Sequence, residues 1–307
     1  MDILDAIGNT SLVPLRRVVP EGAARVLVKL EWENPTGSMK DRMALAAIAR
    51  AEADGRLKPG DSVVEYTGGS TGASLALVCA ARGYRLHIVT SDAFSRDKRD
   101  QMAALGATLT LVPSVGGRST KKLFLDMIET ARALSREPRT FWNDQLNNRD
   151  IPAGYATLGE EIWNGTEGRV DAFVHSVGTG ASLRGAGGAL KERRSGVRLV
   201  AVEPAESPVL GGGEPGPHDI EGIGIGLIPP LWDRSLADEI VPVPTADAKA
   251  MCRRLAREEG LFAGTSSGAN VVAALHVAQR LGRDATVVTL LVDSGLKYLG
   301  TDLYRPA

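Results

Sequence analysis

Cysteine is scarce in this chain, with two in 307 residues, and neither Cys79 nor Cys252 has a histidine or a second cysteine beside it. No zinc-type spacing exists, so no metal is expected, and both read as small buried hydrophobes in apolar helices. Charge of one sign is lacking too. The 36 basic and 37 acidic residues leave a net charge of −1, with no Lys/Arg-rich block and no stacking aromatics, which removes nucleic acid as a partner. No apolar run reaches the roughly eighteen residues needed to cross a membrane. The opening Met1-Asp2-Ile3-Leu4-Asp5 is acidic and lacks the apolar core of a signal peptide. A cytoplasmic enzyme without membrane attachment is expected.

What the chain does have is length and alternation. At 307 residues it exceeds the usual size of a single core and suggests two lobes, and 43% apolar with 24% charged residues is ordinary for a globular protein. Short β-branched runs alternate with amphipathic helices, the pattern of an α/β fold in which each lobe is a mostly parallel sheet flanked by helices. The runs predict strands over 62–66, 86–90, 108–112, 172–176, 199–202 and 286–291. Helices are predicted over 73–82 and 95–105, short enough for right-handed crossovers. A smaller lobe is expected over 35–147 and a larger one over 1–34 and 148–307, the boundary lying in the polar stretch 143–150. There is no internal repeat, and the Gly/Pro-rich run 211–217 reads as a loop.

Four segments carry chemistry. In Asn34-Pro35-Thr36-Gly37-Ser38-Met39-Lys40-Asp41-Arg42, turn residues lead into an apolar-periodic helix that Ser38 can cap, so Lys40 falls in the first helical turn. The helix N-terminus disfavours an ammonium there by about 0.3–1 kcal/mol and so favours a nucleophilic amine. The turn Thr67-Gly68-Gly69-Ser70-Thr71-Gly72 follows an apolar strand and precedes an apolar helix. Its backbone amides, with the Thr67 and Thr71 hydroxyls, suit a carboxylate at the end of a parallel strand.

Gly178-Thr179-Gly180-Ala181-Ser182 again joins a strand to a helical stretch, and phosphate suits its glycine-flanked amides and its hydroxyls. It imitates a dinucleotide fingerprint, but the third glycine of that motif would fall at Leu183, so the match fails. In Gly264-Thr265-Ser266-Ser267-Gly268, Ser266 or Ser267 is placed to cap a helix. Gly222, Gly224 and Gly226 bring backbone close to something bulky.

Together with Ile7-Gly8-Asn9-Thr10 near the start, Glu203-Pro204, and Asp293-Ser294-Gly295-Leu296-Lys297-Tyr298 near the end, these segments stand in the order of one family. The whole chain resembles the cysteine synthase and cystathionine β-synthase family of fold-type II, tryptophan synthase β-like, pyridoxal 5'-phosphate enzymes. The resemblance implies that the segment near 11–34 crosses into the larger lobe and that the smaller lobe moves over the substrate. It makes Lys40 the Schiff-base lysine and the base at Cα. Gly178, Thr179, Gly180, Ala181 and Ser182 become the cup for the cofactor phosphate, with Gly224 facing the cofactor and Ser266 facing the pyridine nitrogen. Thr67, Gly68, Gly69, Thr71 and Gln145 would bind the substrate carboxylate.

Two positions depart from the family's Thr-Ser-Gly-Asn-Thr-Gly loop, Gly68 for serine and Ser70 for the asparagine that contacts the cofactor ring oxygen. A third is Asn148-Arg149 in place of Asn-Pro, where Arg149 reads as an exposed loop residue or as a cation at the cleft rim.

The reaction implied is β-replacement on an activated serine such as O-acetylserine, through aminoacrylate, with a nucleophile such as sulfide, giving cysteine or an analogue. A hydroxyl at Ser266 leaves the pyridine ring a weaker electron sink than a carboxylate would, which favours loss of a β-substituent. Alternatives are a β-eliminating lyase such as a cysteine desulfhydrase, a specialised β-substituted alanine synthase, and an inactive cofactor-binding regulatory protein. A homodimer is expected from the resemblance.

Overall fold

Buried, β-branched strands need cover on both faces, and in this chain they form two separate, mostly parallel sheets. The computed structural model describes residues 2–117 and 120–305. In chain order the elements are β1 (Leu12–Pro14), β2 (Arg25–Leu30), α1 (Lys40–Ala53), β3 (Ser62–Tyr66), α2 (Ser70–Arg82), β4 (Arg85–Ser91), α3 (Arg96–Ala104), β5 (Thr108–Val112), α4 (Lys121–Leu134) and β6 (Thr140–Trp142). They continue with α5 (Ile151–Gly165), β7 (Ala172–Ser176), α6 (Gly188–Arg193), β8 (Arg198–Pro204), β9 (Glu239–Val243), α7 (Thr245–Arg254), α8 (Thr265–Leu281) and β10 (Thr286–Leu291). Two compact units divide the chain, Met1–Ile7 with Lys40–Gly154, and Gly8–Met39 with Tyr155–Ala307.

The unit containing Lys40 holds a four-stranded sheet in the order β5-β4-β3-β6, parallel throughout. Its core packs α1 and α2 on one face through Ala44, Ile48, Leu75 and Val78 against Val63, Leu86 and Ile88, all buried. Gly83, in the left-handed conformation with φ +77°, ends α2 and lets the chain turn into β4. The other unit holds a six-stranded sheet in the order β1-β2-β10-β7-β8-β9, parallel except for β1 against β2. Helix α8 packs on it with thirteen buried residues, among them Val271, Ala274 and Val277.

The predicted strands at 62–66, 108–112, 172–176 and 286–291 coincide with β3, β5, β7 and β10, and those at 86–90 and 199–202 are each extended at both ends. Four strands were not predicted. β2, Arg25-Val26-Leu27-Val28-Lys29-Leu30, carries a lysine that a continuous apolar run would not contain; Lys29 is 2% exposed and is bonded to Glu161 at 2.7 Å. β1 and β6 have three residues each, too few for a period, and β9 contains Pro242. Both cysteines are buried, as expected, and desolvation pushes each thiol up to about 12.

Candidate active site

Lys40 is the first residue of α1 and is half-buried. The three residues before it are fastened to the end of β10, with Met39 N–H bonded to Val292 O at 3.0 Å, Ser294 N–H to Gly37 O at 3.0 Å, and Ser38 bridging to Asp293. Gly37 makes the approach with φ +73°. Lys40 thus opens a helix directly after three residues held by backbone bonds.

In the same unit, β3 runs directly into the turn 67–69. The structure starts the helix at Ser70, three residues earlier than the predicted 73, because Gly72 and Ala73 N–H both turn back to Gly69 O at 2.9 and 3.3 Å. Ser70 and Thr71 therefore lie in the first turn, where backbone N–H groups face an incoming anion. Thr67 and Thr71 are each 4% exposed. Thr67 Oγ1 accepts from Gly69 N–H at 3.1 Å and shapes the turn. Thr71 Oγ1 donates to Gln145 Oε1 at 2.7 Å, while Gln145 Nε2 donates to Tyr66 O at 2.9 Å. Two predicted substrate residues, 74 positions apart in sequence, are thus hydrogen-bonded to each other.

The glycines of this turn have occupied surroundings. A Cβ at Gly68 would lie 2.7 Å from the Phe94 ring, one at Gly69 2.6 Å from Lys98 Cδ, and one at Gly72 2.1 Å from Met102 Sδ. Phe94, unremarked in the sequence, takes the space that the side chain of a serine at position 68 would need. Arg149 is exposed and lines a cavity of about 440 Å³ with Arg50, Arg56, Trp142, Asn143 and Asp150. None of the predicted substrate residues lines that cavity.

The other unit carries the remaining candidates. Gly178–Ser182 joins β7 to a π-helical turn over 183–187, and its amides precede the first bond of that turn, Arg184 N–H to Gly180 O at 3.1 Å. Such amides need an external acceptor. Gly180 has φ +84°, and a Cβ there would meet the Trp232 amide nitrogen at 2.7 Å; a Cβ at Gly178 would meet Gly222 O at 2.4 Å. The 222–226 segment thus packs on the cup, and Gly224, with φ +60°, donates its N–H to Val177 O at 3.3 Å.

His175, which sequence reasoning missed, contacts Ser182 Oγ through Nε2 at 2.7 Å and Asn270 Nδ2 through Nδ1 at 3.4 Å. Asn270 is fully buried and also bonds Ser176 N–H and Leu290 O.

Neither Ser266 nor Ser267 caps α8, contrary to expectation. Gly264 is the N-cap, because Asp293 Oδ1 and the Tyr298 ring lie 2.3 Å from where a Cβ would stand and a side chain cannot enter. Ser267 Oγ instead accepts from Val292 N–H at 2.8 Å, and Thr265 Oγ1 from Glu221 N–H at 2.9 Å. Ser266 is 3% exposed, and among the described residues its hydroxyl has no hydrogen-bond partner. It remains available to a ligand atom.

Residues 3–293 match the family described as pyridoxal-phosphate dependent enzyme. This chain belongs to that family. Among pyridoxal-phosphate dependent enzymes it is similar to a cysteine synthase of Staphylococcus aureus, with 45% identity over 305 residues that span 99% of this chain and 96% of the relative. The crystal structure of a cysteine synthase from Entamoeba histolytica superposes with a TM-score of 0.94 at 38% identity, covering 100% of this chain and 91% of that one. An O-ureido-L-serine synthase superposes with a TM-score of 0.92 at 41% identity, covering 99% and 94%. The expected α/β architecture and the expected cofactor class both hold. Pyridoxal phosphate also fits what the residues offer: an amide cup for a dianion, glycines packed too closely for side chains, and a buried hydroxyl at Ser266.

Proposed function

We propose that this pyridoxal-phosphate dependent enzyme replaces the β-substituent of an activated serine, O-acetylserine or a close analogue, with sulfide or another small nucleophile, forming cysteine or a β-substituted alanine. The observation that carries this reading is the Thr71–Gln145 hydrogen bond at the head of α2, which brings two of the residues assigned to the substrate carboxylate together beside the first-turn amides of that helix. Likeness to a cysteine synthase across 99% of the chain supports it. When bound, the cofactor withdraws electrons from Cα of an attached amino acid and so allows its proton and then its β-substituent to leave.

The chain's own residues do the rest in this reading. Lys40 would hold the cofactor covalently and, as a free amine, would take the proton from Cα of the substrate. Gly178, Thr179, Gly180, Ala181 and Ser182 hold the phosphate; Ser266 accepts or donates a single hydrogen bond at the ring nitrogen; Gly224 and Ser70 border the ring. Thr67, Gly68, Gly69, Thr71 and Gln145 hold the substrate carboxylate, with the 67–72 segment closing to exclude water. In this reading the smaller, moving lobe spans 35–147. A homodimer in the cytoplasm completes the proposal, on the family resemblance.

The test is the visible absorbance of the purified enzyme during addition of O-acetylserine and then sulfide, with product analysis. Cysteine formation with a reversible spectral change is expected, and Lys40→Ala should abolish both. Pyruvate and ammonia without cysteine would redirect the proposal to β-elimination, and a spectrum indifferent to O-acetylserine would remove the substrate assignment.

A further inference from the structure

Glu65, the fourth of the five residues of β3, is fully buried. Among the described residues no cation lies within ion-pair distance of it. Burying an unpaired carboxyl is costly by several kcal/mol, so its retention calls for partners. It has three. Oε1 accepts from Tyr66 N–H at 2.8 Å, and Oε2 accepts from Asn143 Nδ2 at 2.6 Å and from Gln145 N–H at 2.9 Å. Asn143 is fully buried too, and its own Oδ1 has no partner, so the amide is oriented for Glu65 at its own expense.

The bonds meet where the backbone is strained. Asp144, between the two residues that Glu65 holds on the 143–145 segment, has φ +43°, a left-handed conformation that costs a non-glycine residue about 1–3 kcal/mol and persists only where its surroundings enforce it. That conformation turns Gln145 toward α2. Gln145 is then fixed at three points, N–H on Glu65, Nε2 on Tyr66 O and Oε1 on Thr71. Tyr66 is held from both sides, its N–H by Glu65 and its carbonyl by Gln145. One carboxyl thus ties together the end of β3, the strained turn and the glutamine that reaches the substrate turn.

We infer that Glu65 is a positioning residue for the carboxylate-binding turn, setting Gln145 against Thr71 in the reaction proposed above, on whose substrate-site assignment this inference rests. Desolvation, with a smaller contribution from the neighbouring Asp144 carboxylate, pushes the Glu65 carboxyl up to about 8. The N–H donors of Asn143, Tyr66 and Gln145 act against that shift, and both carboxyl oxygens are engaged as acceptors.

The test is Glu65→Gln in the cofactor-loaded enzyme. A carboxamide has one acceptor atom where Glu65 uses two, so its NH₂ must face either Gln145 N–H or Tyr66 N–H. The KM for O-acetylserine should rise about tenfold, the effect of one lost hydrogen bond to a poised group, with kcat within about threefold of the parent. The absorbance of the lysine-held cofactor and its affinity should not change.

Combined with Gln145→Ala, the substitution should add nothing further to KM, which a general loss of stability would not reproduce. An unchanged KM, or an equal additional rise in the Gln145→Ala background, would overturn the inference. Should Glu65→Gln not yield folded enzyme, Asn143→Ala leaves the carboxyl in place, removes one of its donors and should give the same KM-only signature at smaller size; an unchanged KM there overturns the inference equally. A parent enzyme that ignores O-acetylserine would sink the substrate assignment alone, and Glu65 is then read from spectral titration with L-cysteine, whose unchanged dissociation constant in the variant would overturn it.

Discussion

Gly180→Ala isolates the phosphate cup. Two costs follow from the geometry. An alanine at φ +84° pays about 1–2 kcal/mol for the left-handed region. Its Cβ would stand 2.7 Å from the Trp232 nitrogen, 2.9 Å from its Cα and 3.0 Å from the Leu231 carbonyl carbon. All three are backbone atoms, which cannot swing aside as a side chain would, so overpacking adds about 1–3 kcal/mol.

The turn can relieve roughly 2–5 kcal/mol by shifting, and phosphate binding requires it to shift back. Affinity for pyridoxal phosphate should then fall at least about 30-fold at the low end of that range. Pyridoxal, which lacks the phosphate, should lose little. The assay is titration of the apoenzyme with each compound by absorbance, with Gly188→Ala as control. Gly188 is helical at φ −58°, ψ −51° with nothing within 4 Å of a Cβ, so alanine there should be neutral or slightly stabilising. A phosphate-to-pyridoxal preference within threefold of the parent's in Gly180→Ala would refute the assignment of the cup.

Other expectations follow from contacts already described. Lys40→Ala should leave no measurable turnover and a cofactor that dialyses away, checked by activity and by absorbance after gel filtration. Gly68→Ser should raise the KM for the amino-acid substrate, because its Cβ would strike Phe94 at 2.7 Å, and Phe94→Ala in the same chain should recover most of the loss; simple additivity of the two would refute the coupling. Glu65 also predicts a pH dependence of stability. Its folded value of about 8 exceeds its ordinary 4.5, so the contribution is fully present below pH 4.5 and is lost as pH rises toward 8, by at most about 1.4 kcal/mol per pH unit. The stability advantage of the parent over Glu65→Gln should narrow from pH 5 to 8 in denaturant melts, and a constant difference would refute the upward shift at Glu65.

The sequence spoke most clearly where one local rule sufficed. β3, β7 and β10 were legible as β-branched runs, and Lys40 as the opening of a helix, because period and turn residues act over a few positions. The head of α8 misled because serine is a good cap wherever a cap is needed; what decided the matter was Asp293 and Tyr298 filling the place of a side chain at Gly264, a contact across about 30 residues of sequence. β2 was hidden by Lys29, whose burial is explained by Glu161 far along the chain together with the Thr10 carbonyl. Phe94, Glu65, His175 and Asn270 were illegible for the same reason: each acts through a partner that nothing nearby announces. Thr71 and Gln145 were found separately, and their hydrogen bond needed the fold.

The bridge that fastens 37–39 to 292–294 has a consequence for the order of events on the ribosome. Strand β2 pairs with β10, whose residues are made about 260 positions later, an interval of on the order of tens of seconds at ordinary rates of synthesis. Until β10 emerges, the backbone bonds that Gly37 and Met39 make to 292–294 cannot form, and in the sheet β2 pairs only with β1. The helices and strands that follow Lys40 pair locally and can form during that wait. Lys40 is therefore made long before the strand that fastens the residues ahead of it, so a chain lacking β10 would present the Lys40 unit with those residues unfastened.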